Sequence, residues 1–307
     1  MRHVGKHGKG NNLFADPLYN TPHIAMVIDT FSLLHPNSFY AEAIDNYTFD
    51  ILHGKIQLVH ADVYVSPNGN NSNSGLTPTE PLKTIHQAFG VIIADSLNQH
   101  TIHLLQGTYS PSRNGEFMPV NLIDYVNVSG ESPNTVIIYA EGSSGVMQIQ
   151  RKKYSHISGF TLRGGNTMYG GGLFCINSNP WLNNISIMNN TAIGGGWYTG
   201  YGGGMYLVNS NPILEDMVIA GNSAFLGGGL YCSNSNPTLS NVKLNDNSAM
   251  EGNGGGVYFE SSNSTLNNVS ISGNSAYAGA GIYCTYSNPE LQDAIISGNT
   301  AQNGGGM

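Results

Sequence analysis

From Asn177 onward the chain repeats one short pattern of apolar and polar positions. NSNPWLNNISIMNNTA starts at Asn177, NSNPILEDMVIAGNSA at Asn209 and NSNPTLSNVKLNDNSA at Asn234. SSNSTLNNVSISGNSA follows at Ser261 and YSNPELQDAIISGNTA at Tyr286. The Asn of the turn recurs at 179, 211, 236, 263 and 288, in steps of 32, 25, 27 and 25 residues. The longest step carries an insertion, GGGWYTGY, and the step of 27 carries extra residues around Glu251. Within each unit the apolar positions are Leu182, Ile185 and Ile187, matched by Leu214, Met217 and Ile219, and so on to Leu291, Ala294 and Ile296. Short runs of near period-two alternation predict strands with one buried face. A further strand follows each glycine cluster: GGLFC, GGMYL, GGLYC, GGVYF and AGIYC. Its first and third apolar residues should point inward and the aromatic between them outward. No 3.6-residue stripe is present, so a helical repeat fits poorly.

A unit of two such strands cannot bury its own apolar face, whereas equivalent units stacked edge to edge can. Each strand would pair in parallel with its copies above and below, about 4.8 Å away. The expected fold is therefore all-β: a single-stranded parallel β-helix, or solenoid, stabilised by contacts between neighbouring coils. Right-handed winding is the general expectation for parallel connections. Two asparagine columns run through it. One is Asn179, Asn211, Asn236, Asn263 and Asn288; the other is Asn190, Asn222, Asn247, Asn274 and Asn299. Asparagine tolerates left-handed backbone at a bend, and stacked asparagines also bond to one another. The columns are read as structural ladders, because every coil repeats them and a binding site is local.

Before the repeats the pattern loosens. Val63-Tyr64-Val65 reads as a strand and the Pro, Gly, Asn and Ser stretch after it as a loop. Thr79 is a candidate cap for a short amino-terminal helix over Pro81–Ile93, placed to cover the open end of the solenoid. Thr101 to Tyr109, Val126 to Gly130 and Thr135 to Tyr139 then read as irregular coils. Ile157 stands one 25-residue step before Leu182, so the regular coils start near 157.

YVSPNGNNSNSG, followed by Pro81-Leu-Lys-Thr-Ile85 and the run from Ile102 to Tyr109, resembles the amino-terminal segment of the pectin-lyase-like superfamily of right-handed parallel β-helix proteins. More narrowly it resembles the branch labelled DUF1565. The NSA…GGG(L/V)Y units resemble those of bacterial surface β-helices such as the polymorphic outer-membrane proteins, although no consistent Phe precedes the Asn here. The likeness covers roughly residues 62–307. It implies a secreted or cell-surface location, and for some members cleavage of acidic sugars in a groove along one parallel sheet. Residues 1–60 stand apart. GNNLFADPLY and HPNSFYAEAID resemble the closing segment of such a helix, so 1–60 reads either as the tail of a preceding β-helix or as a capping arm. The β-helix domain would be 61–307. The chain ends in mid-pattern, which suggests part of a longer protein.

Composition narrows the partners. Glycine is 40 of 307 residues, roughly twice the usual ~7%, without a collagen period. Charged residues are 10% of the chain and the net charge is −8, with no basic stripe, so nucleic acid is not expected as a partner. The three cysteines, Cys175, Cys232 and Cys284, share one repeat position and read as small buried hydrophobes. No apolar run is long enough to span a bilayer, and the amino terminus lacks a signal-peptide core.

Three functions compete. A polysaccharide lyase or glycoside hydrolase would act on acidic glycans, and a lyase would bring Ca²⁺, which wants several oxygen ligands. The acids here are scattered, and the lines of best fit are Arg151, Lys153, His156 and Arg163 as contacts for an acidic glycan. No metal site or other cofactor is expected outside that alternative. An adhesion or carbohydrate-binding module would use the outward aromatics Phe174, Tyr206, Tyr231, Tyr258 and Tyr283, or the insertion with Trp197, Tyr198 and Tyr201, since solenoid insertions carry function. A glycan or a surface protein is then the partner. The third reading is a structural spacer. The binding and scaffold readings are favoured over the enzyme.

Overall fold

The run from Trp181 to Met188 forms two strands, Trp181–Asn183 and Ser186–Met188, which belong to different sheets. Asn184 sits between them with left-handed backbone, φ 50°. The spacing already held the reason: Leu182 and Ile185 are three residues apart, and one residue beyond a period of two is what a corner consumes. Asp216, Asn241, Asn268 and Asp293 turn the same corner in later coils. Each coil thus has three principal strands rather than the two that alternation alone suggests.

The computed structural model describes residues 58–194 and 199–307, apart from the side chain of Met250. Before them it gives the backbone of Leu13–Phe14, Ile24–Phe31, Ala41–Glu42 and Tyr47–Gly54. The chain divides into two compact units, Met1–His60 with Phe89–Ile93, and Ala61–Ala88 with Ala94–Met307. In the first, Ile24–Phe31 pairs in parallel with Tyr47–Gly54, and Leu13–Phe14 with Ala41–Glu42.

The second unit is a parallel solenoid with three sheets. Sheet I has nine strands, from Val63–Val65 to Glu290–Gln292. Sheet II has eight, from Gly107–Tyr109 to Ile295–Ser297, and sheet III seven, from Val120–Asn121 to Ile282–Thr285. Register is strict: Ile157, Leu182, Leu214, Leu239, Leu266 and Leu291 are successive partners. A three-residue strand of sheet I buries its middle residue and exposes its flanks, so one apolar column lines the core and two polar columns face out. In sheet III, Leu173 and Cys175 point in and Phe174 points out, as the alternation requires. Cys175 and Cys232 are buried, whereas Cys284 is exposed, because it lies on the strand that ends sheet III. The extra residues of the step of 27 form a register shift between Ala249 and Asn253.

Neither asparagine column adopts the left-handed backbone expected of it; the neighbours do. Asn189, Gly221, Asp246, Gly273 and Gly298 take positive φ one residue before the inner column. The columns instead bond from coil to coil. Asn222 Oδ1 accepts the backbone N–H of Asn190 and its Nδ2, at 3.0 and 3.1 Å. The same pair of bonds links Asn222 to Asn247, Asn247 to Asn274 and Asn274 to Asn299. Each Nδ2 also donates to a sheet II carbonyl, as Asn247 does to Ile219 at 2.9 Å. The exposed column works through the backbone, with Asn211 N–H donating to Asn179 Oδ1 at 2.6 Å and the pattern continuing to Asn288. A third ladder lay unread in the NSN motif. Ser178, Ser210, Ser235, Ser262 and Ser287 each accept a bond from the coil before or offer one to their own strand end.

The glycines fit this stacking. A Cβ on Gly228 would lie 2.4 Å from the Ser248 carbonyl oxygen and 2.6 Å from that of Gly255, so adjacent backbones leave room for no side chain.

The expected amino-terminal helix is α1, Ile85–Val91, which starts four residues later than Pro81. Thr84, not Thr79, caps it: its Oγ1 accepts from Gln87 N–H at 3.1 Å. The buried Glu116 carboxylate completes the cap, accepting from Ile85 and His86 N–H at 2.7 and 3.0 Å. Glu116 follows a second short helix, α2, Pro111–Asn114, itself capped by Ser110.

Two outcomes follow from these bonds. Replacing Asn247 by Leu strips partners from Asn222, Asn274 and the Ile219 carbonyl, and chemical denaturation should show a loss of about 3 kcal/mol or more. Asn236→Ala, on the exposed column, should cost about 1 kcal/mol. Burial pushes the Glu116 carboxyl up to about 7, against its backbone hydrogen bonds. The neutral form is favoured on folding, so this stabilisation is present below the ordinary carboxylate range and lost as pH rises through about 7. Thermal melts across that interval should show the wild type losing stability relative to Glu116→Gln, which keeps an acceptor and carries no charge.

Candidate functional site

The outer wall of sheet I holds one residue of a kind that the core does not need. Trp181 stands at the outward first position of Trp181–Asn183 and remains 44% exposed. Register places His156 beside it in the preceding coil and Ile213 in the following one. The His156 and Trp181 rings stack at 4.3 Å and 24°. Ile213 is half exposed, so indole and aliphatic side chain form one apolar strip. The second outward column supplies the polar edge. Glu215 Oε2 accepts from Trp181 Nε1 at 3.1 Å and from Asn183 Nδ2 at 3.3 Å. Ser158, Asn183, Glu215 and Ser240 are successive members of that column. His156 Nε2 is buried without a hydrogen-bond partner among the described residues. Burial holds the imidazole below its usual range, and the Glu215 carboxylate opposes that shift.

The grouping went unseen in the sequence for a definite reason. Trp181 and Glu215 are 34 residues apart, and only the register of a 32-residue step brings them together. The one available signal was a tryptophan at a repeat position held elsewhere by Ile213, Thr238, Thr265 and Glu290. A second grouping lies on the earliest strands of the same wall. Asp62 accepts from Thr101 N–H at 2.8 Å and hydrogen-bonds His103 Nε2 at 3.0 Å, while Tyr64 stacks on His103 at 4.9 Å. Partial burial raises the Asp62 carboxyl, but the bonds to His103 and Thr101 outweigh it and hold the group below its usual value.

The basic candidates are distributed around the coil. His156 projects from sheet I, whereas Arg163 belongs to sheet II and lies over the Tyr139 ring, 5.1 Å from its centre. Arg151 occupies a left-handed turn, φ 53°, and Lys153 is exposed, its N–H bound to Asp124. Among the described residues no group of three or more His, Cys, Asp or Glu is placed to hold a metal ion.

The aromatic ladder of sheet III is stacked upon itself. Phe174, Tyr206, Tyr231, Tyr258 and Tyr283 follow one another at 5.6, 5.3, 5.3 and 5.1 Å, with ring planes within 22°. The inner rings therefore have both faces covered and offer edges and hydroxyls to solvent. Tyr201 joins this cluster, stacked on Tyr169 at 5.6 Å and edge-on to Tyr231. Trp197 and Tyr198 lie outside the described residues. Tyr231 donates to Glu260 Oε2 at 2.5 Å, and burial together with that carboxylate pushes its phenol well up. In an alkaline absorbance titration, Glu260→Gln should let one further tyrosine ionise at lower pH than in the wild type.

The sequence from 120 to 301 matches the family model described as a right handed beta helix region. No curated protein matches the chain. Among solved structures it is similar to pectin methylesterase PemA from Erwinia chrysanthemi, with a TM-score of 0.46 and 13% identity over 69% of this chain and 66% of that one. A pectin methylesterase mutant in complex with hexasaccharide IV gives 0.47 at the same identity and coverage. The chain thus spans just under two thirds of the length of those structures.

Proposed function

The chain belongs to the right handed beta helix family, and from that footing we propose that it is an extracellular or cell-surface β-helix module that binds carbohydrate, the solenoid acting as a rigid scaffold for the wall of sheet I. The observation that carries this reading is Trp181: an exposed indole whose N–H is fixed by Glu215, bordered by His156, Ile213 and a column of amide and hydroxyl side chains. A sugar ring has an apolar face and a polar rim, and this strip offers both in adjacent columns. The coil rise of about 4.8 Å is close to the length of one pyranose unit, so a linear glycan would meet an equivalent wall position at each sugar.

A catalytic reading has less support. The wall carboxylates Glu215 and Glu290 stand three coils apart, roughly 14 Å, against the roughly 5–10 Å that paired glycosidase carboxylates need. The tyrosine stack of sheet III favours a structural role for that face, since its ring faces are already spent on one another.

Glycan-array binding followed by calorimetry tests the proposal. Trp181→Ala should weaken binding by about 2 kcal/mol, roughly thirtyfold, with the β-solenoid retained by circular dichroism. Full affinity in that variant would remove the wall of sheet I from the interaction.

A further inference from the structure

Resting on that reading, we infer that the ligand of the Trp181 wall is a glycan carrying free amines, a hexosamine polymer rather than a polyuronate. The argument begins with charge. The outward positions of sheet I from His156–Ser158 to Glu290–Gln292 hold two carboxylates, Glu215 and Glu290, and no lysine or arginine. Glu215 is met by two neutral donors, Trp181 Nε1 and Asn183 Nδ2, both on the same oxygen, and forms no ion pair among the described residues. A half-buried carboxylate held in this way keeps its second oxygen for a donor from outside, and a cationic donor makes the strongest such bond. Burial disfavours protonation of His156 and so works against an opposing charge there, while the Glu215 carboxylate favours it. The exposed indole beside the carboxylate is itself the best aromatic surface for a cation. The whole chain, at −8, attracts cations and repels uronates.

Two further features favour a sugar over a lysine side chain as the source of the ammonium. Ile213 and Trp181 form a strip suited to a ring, not to a single methylene chain. Ser158, Asn183 and Ser240 line the same column with amide and hydroxyl groups, which the several hydroxyls of a sugar can meet as both donors and acceptors, whereas a lysine offers one donor-only head group. The sheet supplies the spacing: the amine at Glu215 fixes one sugar, and the neighbouring sugars meet the polar positions one coil either side.

The test compares four probes of equal length on the intact chain: a β-linked glucosamine oligomer, its N-acetylated form, an oligogalacturonate and an oligolysine. Titration calorimetry is run at mildly acidic pH with the wild type, Glu215→Gln, Asn183→Ala and Trp181→Ala. The glucosamine oligomer should bind about tenfold or more tightly than the N-acetylated one, and salt should weaken the former alone. Glu215→Gln, which keeps an acceptor for the indole N–H, should erase the difference between them. Asn183→Ala, which leaves the carboxylate, should preserve it. If the N-acetylated or uronate oligomer binds as tightly and still needs Trp181, the amine assignment is overturned and the carbohydrate reading stands. If oligolysine binds most tightly, the site belongs to a protein partner and the assignment is overturned. If no sugar probe binds, both readings fall together.

Discussion

The coils of this protein are locked in register by side chains that complete one another's hydrogen bonds across the stack. The inner asparagine column shows why. From Asn190 to Asn274 each carboxamide is buried; as at Asn247, its oxygen takes N–H groups of the preceding coil and its Nδ2 donates to a carbonyl of that coil and to the carboxamide oxygen of the next. A buried amide without a partner costs roughly 1–3 kcal/mol, so a slip of one residue would leave a whole column unpaired at once. The same slip would turn the single apolar column of sheet I outward, but among Leu, Ile and Val that column makes little distinction of residue type. The polar column therefore specifies what the apolar columns stabilise.

That register is also what makes an outer wall usable. On a single strand, His156, Trp181, Asn183 and Glu215 would be members of three unrelated segments. In the stack they become neighbours on three successive coils, at positions fixed by the backbone ladder rather than by loops. The same geometry on sheet III gives a different result because the residue type repeats. A tyrosine in four successive coils, following Phe174, finds its best neighbour in the next ring, and the column closes on itself. Variation in one coil against a regular background is what leaves a side chain available. Trp181 is such a variation, where later coils have Ile213, Thr238 and Thr265.

How much of this was legible in the chain divides along that line. The solenoid could be read because its signals recur: the Leu182 column, the two asparagine columns and the outward aromatics each appear in five coils. The corner at Asn184 was misread because short strands on either side preserve a nearly regular alternation, and a left-handed residue leaves no mark except a spacing of three. The serine ladder was missed because a serine beside an Asn-Pro turn looks like turn chemistry, whereas here it links coils. The helix was expected from Pro81 with Thr79 as its cap because Glu116, which fixes the true start together with Thr84, lies 31 residues beyond Ile85. The wall site was illegible for the same reason: it is made by register between coils, and its members carry no shared local motif.

A regular scaffold and a specific ligand make opposed demands on sequence. Stacking rewards identical residues in every coil, so any column that binds must depart from the repeat and lose part of that reward. At Trp181 the departure is compensated locally, since the indole stacks on His156 and its N–H is taken by Glu215. At Glu215 it is not: a carboxylate set between Asn183 and Ser240 gains two neutral hydrogen bonds and no ion pair among the described residues. A passive spacer has no need of that residue, because Asn or Ser, as in the adjoining coils, would satisfy the same donors without a charge to desolvate. The uncompensated charge is thus the part of the wall that the fold does not explain, and a cationic group from outside the chain is what would complete it.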